Sequence, residues 1–223
     1  MNILCVVVTH NRAEYSRRTI ESLRATAVNE HFRLVVVDNA STDGTADLAD
    51  VRNTRNVFPG AACNIGWHHG LKTFQADLLM RSDNDIEYLP GWQQEVTAAF
   101  KAHPKLGQLG VLNMHEDFNG NQPVVPYTEG GVTINVHTPR VGGNCVIRRE
   151  IWDAGFRWQP GSWQPGGNDE DTQASRWMVE NKWAVARVIP DIANNMSFHR
   201  YDDYPEYYNV TAGLRGLAPQ LSV

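Results

Sequence analysis

Cysteine is scarce in this chain and badly spaced for chemistry. Cys5, Cys63 and Cys145 are odd in number and far apart. Neither a disulfide framework nor a cysteine zinc site is expected from them, and a reducing, cytoplasmic location fits. No run of about 18 apolar residues occurs, so no transmembrane helix is expected. Met1 to Val8 lacks a basic start and a cleavage site, and is too short for a signal peptide. A basic excess is missing too. The net charge of −5 gives no bulk attraction to nucleic acid or anionic membrane, and leaves room only for a local basic groove. No glycine-rich phosphate loop with a lysine follows the first apolar run, where Thr9-His10-Asn11-Arg12 stands instead. Internal repeats and low-complexity tracts are also absent. What remains is ordinary for a soluble globular protein: 42% hydrophobic and 20% charged residues in 223. That length suits one domain with a sizeable core.

The first half alternates between two patterns. Ile3 to Val8 is a continuous apolar, β-branched run, which predicts a strand covered on both faces. Glu14 to Ala27 carries Tyr15, Ile20 and Leu23 among charges and predicts an amphipathic helix. Leu34 to Val37 is a second buried strand, followed by a helix to about Ala49 capped by Ser41 or Thr42. Asn56 to Phe58 reads as a short strand, Asn64 to Phe74 as a helix, Leu78 to Met80 as a strand and Trp92 to Ala102 as a helix. This alternation predicts an α/β fold with a parallel sheet. The second half is less regular. Gly107 to Asn113 reads as a strand, His115 to Gly131 as loop or hairpin, and Val141 to Arg149 as a strand entering a helix at Glu150 to Ala154. Trp158 to Asn168 reads as a loop, Asp169 to Asn181 as a helix, Val185 to Ile189 as a strand, and the tail after Arg200 is polar.

Asp83-Asn84-Asp85 is the most informative triplet. It follows the buried run Leu78 to Met80. If the chain stays extended there, both carboxylates project from one side. Two like charges held together are costly unless a cation neutralises them. Hard divalent cations take oxygen ligands and arrive with substrate phosphates. The plainer alternative is a polar turn. In open α/β sheets ligands sit beyond the carboxyl ends of the strands. The polar turns after Val8, Val37 and Met80 all lie at such ends, and gather Thr9, Asn11, Arg12, Asp38, Asn39, Asp83 and Asp85 on one surface.

These pieces together resemble the family 2 glycosyltransferases with the GT-A fold. The resemblance runs from about Ile3 to His199. It rests on Val7 to Arg12, Val36 to Thr45, Asn64-Ile65-Gly66, Asp83-Asn84-Asp85, Arg148-Arg149-Glu150 before Ala154-Gly155-Phe156, the acidic run Asp169-Glu170-Asp171, and His199. It implies a Rossmann-like three-layer sandwich with a mainly parallel central sheet, in a single catalytic domain over residues 1–200. The nucleotide-binding half would be about 1–87 and the acceptor half about 88–200, with a tail at 201–223. It also implies transfer of a sugar from a nucleotide-sugar, most often a UDP-sugar, to an acceptor hydroxyl with inversion.

By the same resemblance Asp38 would accept a hydrogen bond from the uracil N3–H, and Thr9, Asn11, Arg12 and Asn39 would frame base and ribose. Asn64 and Gly66 would open a helix near the ribose or diphosphate. Asp85 and His199 would hold Mn²⁺ or Mg²⁺, with Asp83 on the ribose or on a metal-bound water. The catalytic base would come from the acidic run: the Glu-Asp pair selects Asp171, and the distance to Arg176 selects Glu170. Trp67, Trp158 and Trp163 are candidates for stacking on sugar or base, against the commoner fate of core packing. Arg148 and Arg149 are candidates for phosphate contact. Two other functions compete: a nucleotidyltransferase, and a non-catalytic nucleotide-sugar or glycan-binding module. The acceptor would be a glycan or, as a second option, hydroxymethylpyrimidine in phage DNA. The sequence is silent on oligomeric state.

Overall fold

The computed structural model describes residues 1–112, 124–136, 140–159 and 169–196. Its centre is a nine-stranded sheet, and its first strands are those the apolar runs predict. They are β1 (Ile3–Thr9), β2 (Phe32–Asp38), β3 (Val51–Arg52) and β4 (Leu78–Ser82). β5 (Ile86–Tyr88) lies outside this sheet and pairs with β11 (Ala193–Asn195). The remaining strands are β6 (Leu106–Gly110), β7 (Pro126–Glu129), β8 (Val132–Asn135), β9 (Cys145–Arg148) and β10 (Ala184–Val188). The order across the sheet is β3-β2-β1-β4-β9-β6-β10-β8-β7. Only β9 and β8 run against the rest, so most strands deliver their carboxyl ends to the same edge.

β1 shows why the sheet is covered on both sides. Ile3, Cys5 and Val7 face one core with α3 (Trp92–Ala102) and Leu23 of α1 (Ala13–Thr26). Leu4, Val6 and Val8 face a second core with α2 (Pro59–Gly70), α4 (Arg149–Asp153) and α5 (Glu170–Glu180). Period-two alternation in an all-apolar strand thus builds two cores and three layers. Each large side chain buried this way contributes about 1.5–3 kcal/mol relative to exposure.

Several boundaries differ from the sequence reading. α2 starts at Pro59, not at Asn64, because Pro suits the first helical position. Gly66 is therefore mid-helix. A Cβ there would stand 2.7 Å from Val6 Cγ1, so the residue lets α2 rest directly on β1 and β2. The segment after β2 is a short 3₁₀ turn, Thr45–Leu48, rather than a helix capped by Ser41 or Thr42. Asp43 accepts from the Thr45 backbone N–H at 3.0 Å and closes a local turn instead. The third strand is Val51–Arg52 and not Asn56–Phe58, where Phe58 has a φ of 68° that no strand accommodates. The Gly- and Pro-rich stretch supplies the hairpin β7–β8, turning at Gly130-Gly131. Among the described residues, no helix is long and apolar enough to cross a membrane.

Candidate active site

Three strand ends build the site. At the end of β2, Asp38 is buried; Oδ2 accepts from the Ser41 N–H at 3.1 Å, and Oδ1 accepts no hydrogen bond. Its neighbours serve the scaffold. Asn39 Oδ1 accepts from Val57 N–H at 3.0 Å and from Asn53 Nδ2 at 3.2 Å, while its Nδ2 donates to Asn56 Oδ1 at 2.8 Å. This closes a loop where the sequence pattern predicts a strand. At the end of β1, Thr9 is fully buried and donates to the Val37 carbonyl at 3.3 Å. Asn11 accepts from Thr42 N–H at 2.9 Å and so ties the first polar turn to the second.

At the end of β4, Asp83-Asn84-Asp85 is a turn and not a continued strand. Asn84 is the buried pivot, donating to Ser16 Oγ at 2.9 Å and to the Asn11 carbonyl at 3.3 Å. Asn144 grips Asp83 twice, accepting from its N–H at 2.7 Å and donating to its Oδ2 at 3.1 Å. Arg12 Nη1 lies 3.9 Å from Asp85 Oδ2, and the Asp85 carbonyl accepts from Met196 N–H at 2.9 Å. Asp83 is the more open carboxylate, 40% exposed against 14% for Asp85.

The acidic run arrives opposite this turn and divides its labour. Asp169 caps α5 by accepting from Thr172 N–H at 2.9 Å and pairs with Arg140 at 2.8 Å. Glu170 is fully engaged: Oε1 takes Arg81 Nη2 at 2.5 Å and Oε2 takes the Gly60 N–H at 2.8 Å. Asp171 accepts no hydrogen bond at its buried Oδ1, which lies 3.7 Å from Arg81 Nη1. Burial pushes its carboxyl up to about 7; the Arg81 charge pulls it down, and Asp83 and Glu170 add to the rise. A carboxylate poised near neutrality is suited to taking a proton.

Residues 4–156, more than half the chain, match the family profile described as Glycosyl transferase family 2. The chain belongs to that family. Its fold agrees with solved structures. Staphylococcus aureus TarS 1–349 superposes with a TM-score of 0.66 at 17% identity, covering 100% of this chain and 67% of that one. The Pyrobaculum calidifontis mannosyltransferase PcManGT, in complex with GDP-Man and Mn²⁺, gives 0.64 at 16% identity, over 98% of this chain and 66% of that one. GalNAc-T7 with UDP, GalNAc and Mn²⁺ gives 0.62 at 15% identity, over 84% and 42%. A second S. aureus TarS structure, matched at 16% identity with a TM-score of 0.65, is covered over 41% of its chain. No curated protein sequence gave a match. These likenesses carry the GT-A fold.

For this glycosyltransferase the remaining expectations divide clearly. Asn64 does not open α2; it pins the Trp158 backbone, donating to its carbonyl at 2.8 Å and accepting from its N–H at 3.1 Å. Trp158 and Trp67 are core residues, 1% and 0% exposed, so neither ring is offered for ligand stacking. Arg148 donates to the carbonyls of Phe100, His103 and Leu106, and Arg149 pairs with Asp153. Both are structural cations. Trp163 and His199 lie outside the described residues. Among the described residues, no three His, Cys, Asp or Glu side chains gather closely enough to hold a metal by themselves. The two carboxylates of the 83–85 turn are hard oxygen donors. Their chemistry suits a divalent ion such as Mn²⁺ or Mg²⁺, which would need further oxygen ligands from diphosphate or water.

Arg81 is the site residue that sequence reading passed over. It sits in a run otherwise read as a buried strand, and its significance depends on partners 89 residues away. A charged residue ending an apolar run two positions before Asp83 was the available signal.

Proposed function

We propose that this glycosyltransferase moves a sugar from a UDP-sugar to an acceptor hydroxyl in a single inverting displacement. The observation that carries the reading is the division within the acidic run: Glu170 is engaged by Arg81 and Gly60, while the buried Oδ1 of Asp171 accepts no hydrogen bond. Asp171 takes the acceptor's proton. The acceptor oxygen bonds to the anomeric carbon as the bond from that carbon to the diphosphate oxygen breaks, and UDP leaves. Glu170 is the fallback base only if its pair with Arg81 opens.

The unpartnered, buried Oδ1 of Asp38 supports a base-reading role, since a uracil N3–H is a donor that would satisfy it. Arg12, whose Nη1 lies 3.9 Å from Asp85 Oδ2, would contribute charge on the donor side. Asp85 and Asp83, with His199, would hold Mn²⁺ or Mg²⁺, which when bound neutralises the leaving diphosphate. The complexes of the fold relatives with UDP or GDP-Man, and with Mn²⁺, agree with this chemistry. A glycan is the favoured acceptor class, because a net charge of −5 works against a DNA duplex.

Calorimetry with UDP and GDP, each with Mn²⁺ and with EDTA, tests donor recognition. UDP is expected to bind in preference to GDP, and only with the metal. Equal UDP affinity in EDTA would remove the metal–diphosphate reading. Product release on acceptor panels that include glycans and hydroxymethylated DNA then assigns the acceptor.

A further inference from the structure

Arg81 is out of place by ordinary rules. It follows Leu78, Leu79 and Met80 in β4 and is 3% exposed. A guanidinium at such depth is costly unless it is paired. Its partners come from separate segments. Nη2 bonds Glu170 Oε1 and lies 3.7 Å from Asp83 Oδ1, while Nη1 lies 3.7 Å from Asp171 Oδ1. The guanidinium carbon stands 4.6 Å from the centre of the Trp158 ring. Gly143 leaves the room: a Cβ there would come within 2.7 Å of Nη2.

The pairing is incomplete in an informative way. Arg81 Nε and Nη1 are buried and make no hydrogen bond, and neither does Asp171 Oδ1. Glu170 is locked through both oxygens. Asp171 is held by charge alone, yet its side chain keeps 23% of its exposure. With Oδ1 buried beside Arg81, Oδ2 is the oxygen left to meet a ligand.

We infer that Arg81 is a positioning residue for the transfer step: it anchors the start of α5 through Glu170 and turns Asp171 Oδ1 inward, so that Oδ2 meets the acceptor hydroxyl. This rests on the reading of Asp171 as the base. The charged groups facing Asp171 are Arg81, Asp83, Glu170 and Arg140. Arg81 is the nearest cation among them, and a lysine cannot reproduce its planar, forked reach to two carboxylates.

The test uses Arg81→Lys and Arg81→Met, each also made on an Asp171→Asn background. Arg81→Lys keeps a buried cation and is expected to fold. Its kcat should fall by about 10²-fold, the scale of a 1 Å misplacement, with the donor KM little changed. On the Asp171→Asn background the same substitution should cost almost nothing further, since both act through one group. A carboxyl-¹³C titration should show the Asp171 midpoint higher in Arg81→Met than in wild type. An equal loss on both backgrounds, or an unmoved midpoint in a folded Arg81→Met, would overturn the inference. The titration needs no turnover, so a wild-type protein inactive with every donor would sink the proposed function and leave this arm readable.

Discussion

Replacing Asp171 by Asn should damage catalysis and stabilise the fold, and the two effects share one cause. Asn nearly preserves size and cannot ionise. In the folded protein the Asp171 carboxyl titrates at about 7, against 3.8 without its surroundings. The folded state therefore holds its proton more tightly than the unfolded one. Stability is lost as pH rises from about 4 to about 7 and stays lost above that. At about 1.36 kcal/mol per pKa unit the full penalty is roughly 4 kcal/mol. The side chain is 23% exposed, and screening reduces the expected figure to about 2 kcal/mol. For a chain of this size that is about 4–8 °C in Tm. Asp171→Asn should thus melt higher than wild type at pH 8, with the gap closing near pH 4. Its turnover should fall by about 10²–10⁴-fold, the value of a well-placed general base, with donor binding retained. The wild-type kcat/KM should show an acid limb with a midpoint near 7. Calorimetric melting at several pH values and steady-state kinetics read both effects. A Tm difference that is the same at pH 4 and pH 8, or wild-type turnover in the variant, would refute the reasoning.

Gly66→Ala should destabilise the protein, because overpacking costs about 1–3 kcal/mol and the gain in helix propensity returns only about 1 kcal/mol. Urea unfolding measures this, and the folded variant should bind UDP as wild type does; lost UDP affinity at unchanged stability would give Gly66 a direct donor role. Asp85→Ala should abolish transfer and leave Tm nearly unchanged, because the side chain lies in a turn at a strand end. Wild-type turnover of that variant at limiting metal would make the 83–85 triplet a plain turn.

Residues that act through near neighbours were legible in the sequence. The apolar runs of β1, β2 and β4 carry their own signal, and the alternation along β1 already contains both cores. Trp92 to Ala102 is a helix with the bounds its pattern predicts. Polar turns at the carboxyl ends of parallel strands must share one edge, so the gathering of Asp38, Asp83 and Asp85 followed from pattern and topology.

What tertiary structure alone decided was which of these residues are free to act. Asn39 and Asn64 look like ligand contacts in the sequence, and the fold also gives their side chains scaffold work on Val57 and Trp158. Gly66 is explained by a close helix–sheet contact, which no local pattern encodes. The three consecutive acids are indistinguishable by composition. They separate only because Arg140, Arg81 and Gly60 reach Asp169 and Glu170 from distant parts of the chain and leave the buried Oδ1 of Asp171 without a hydrogen bond. Local propensity acts over a few neighbouring residues, whereas the pair Arg81–Glu170 spans 89. Such a contact exists only after the fold has brought β4 and the start of α5 together, and in the proposed mechanism it is what sets Glu170 apart from Asp171.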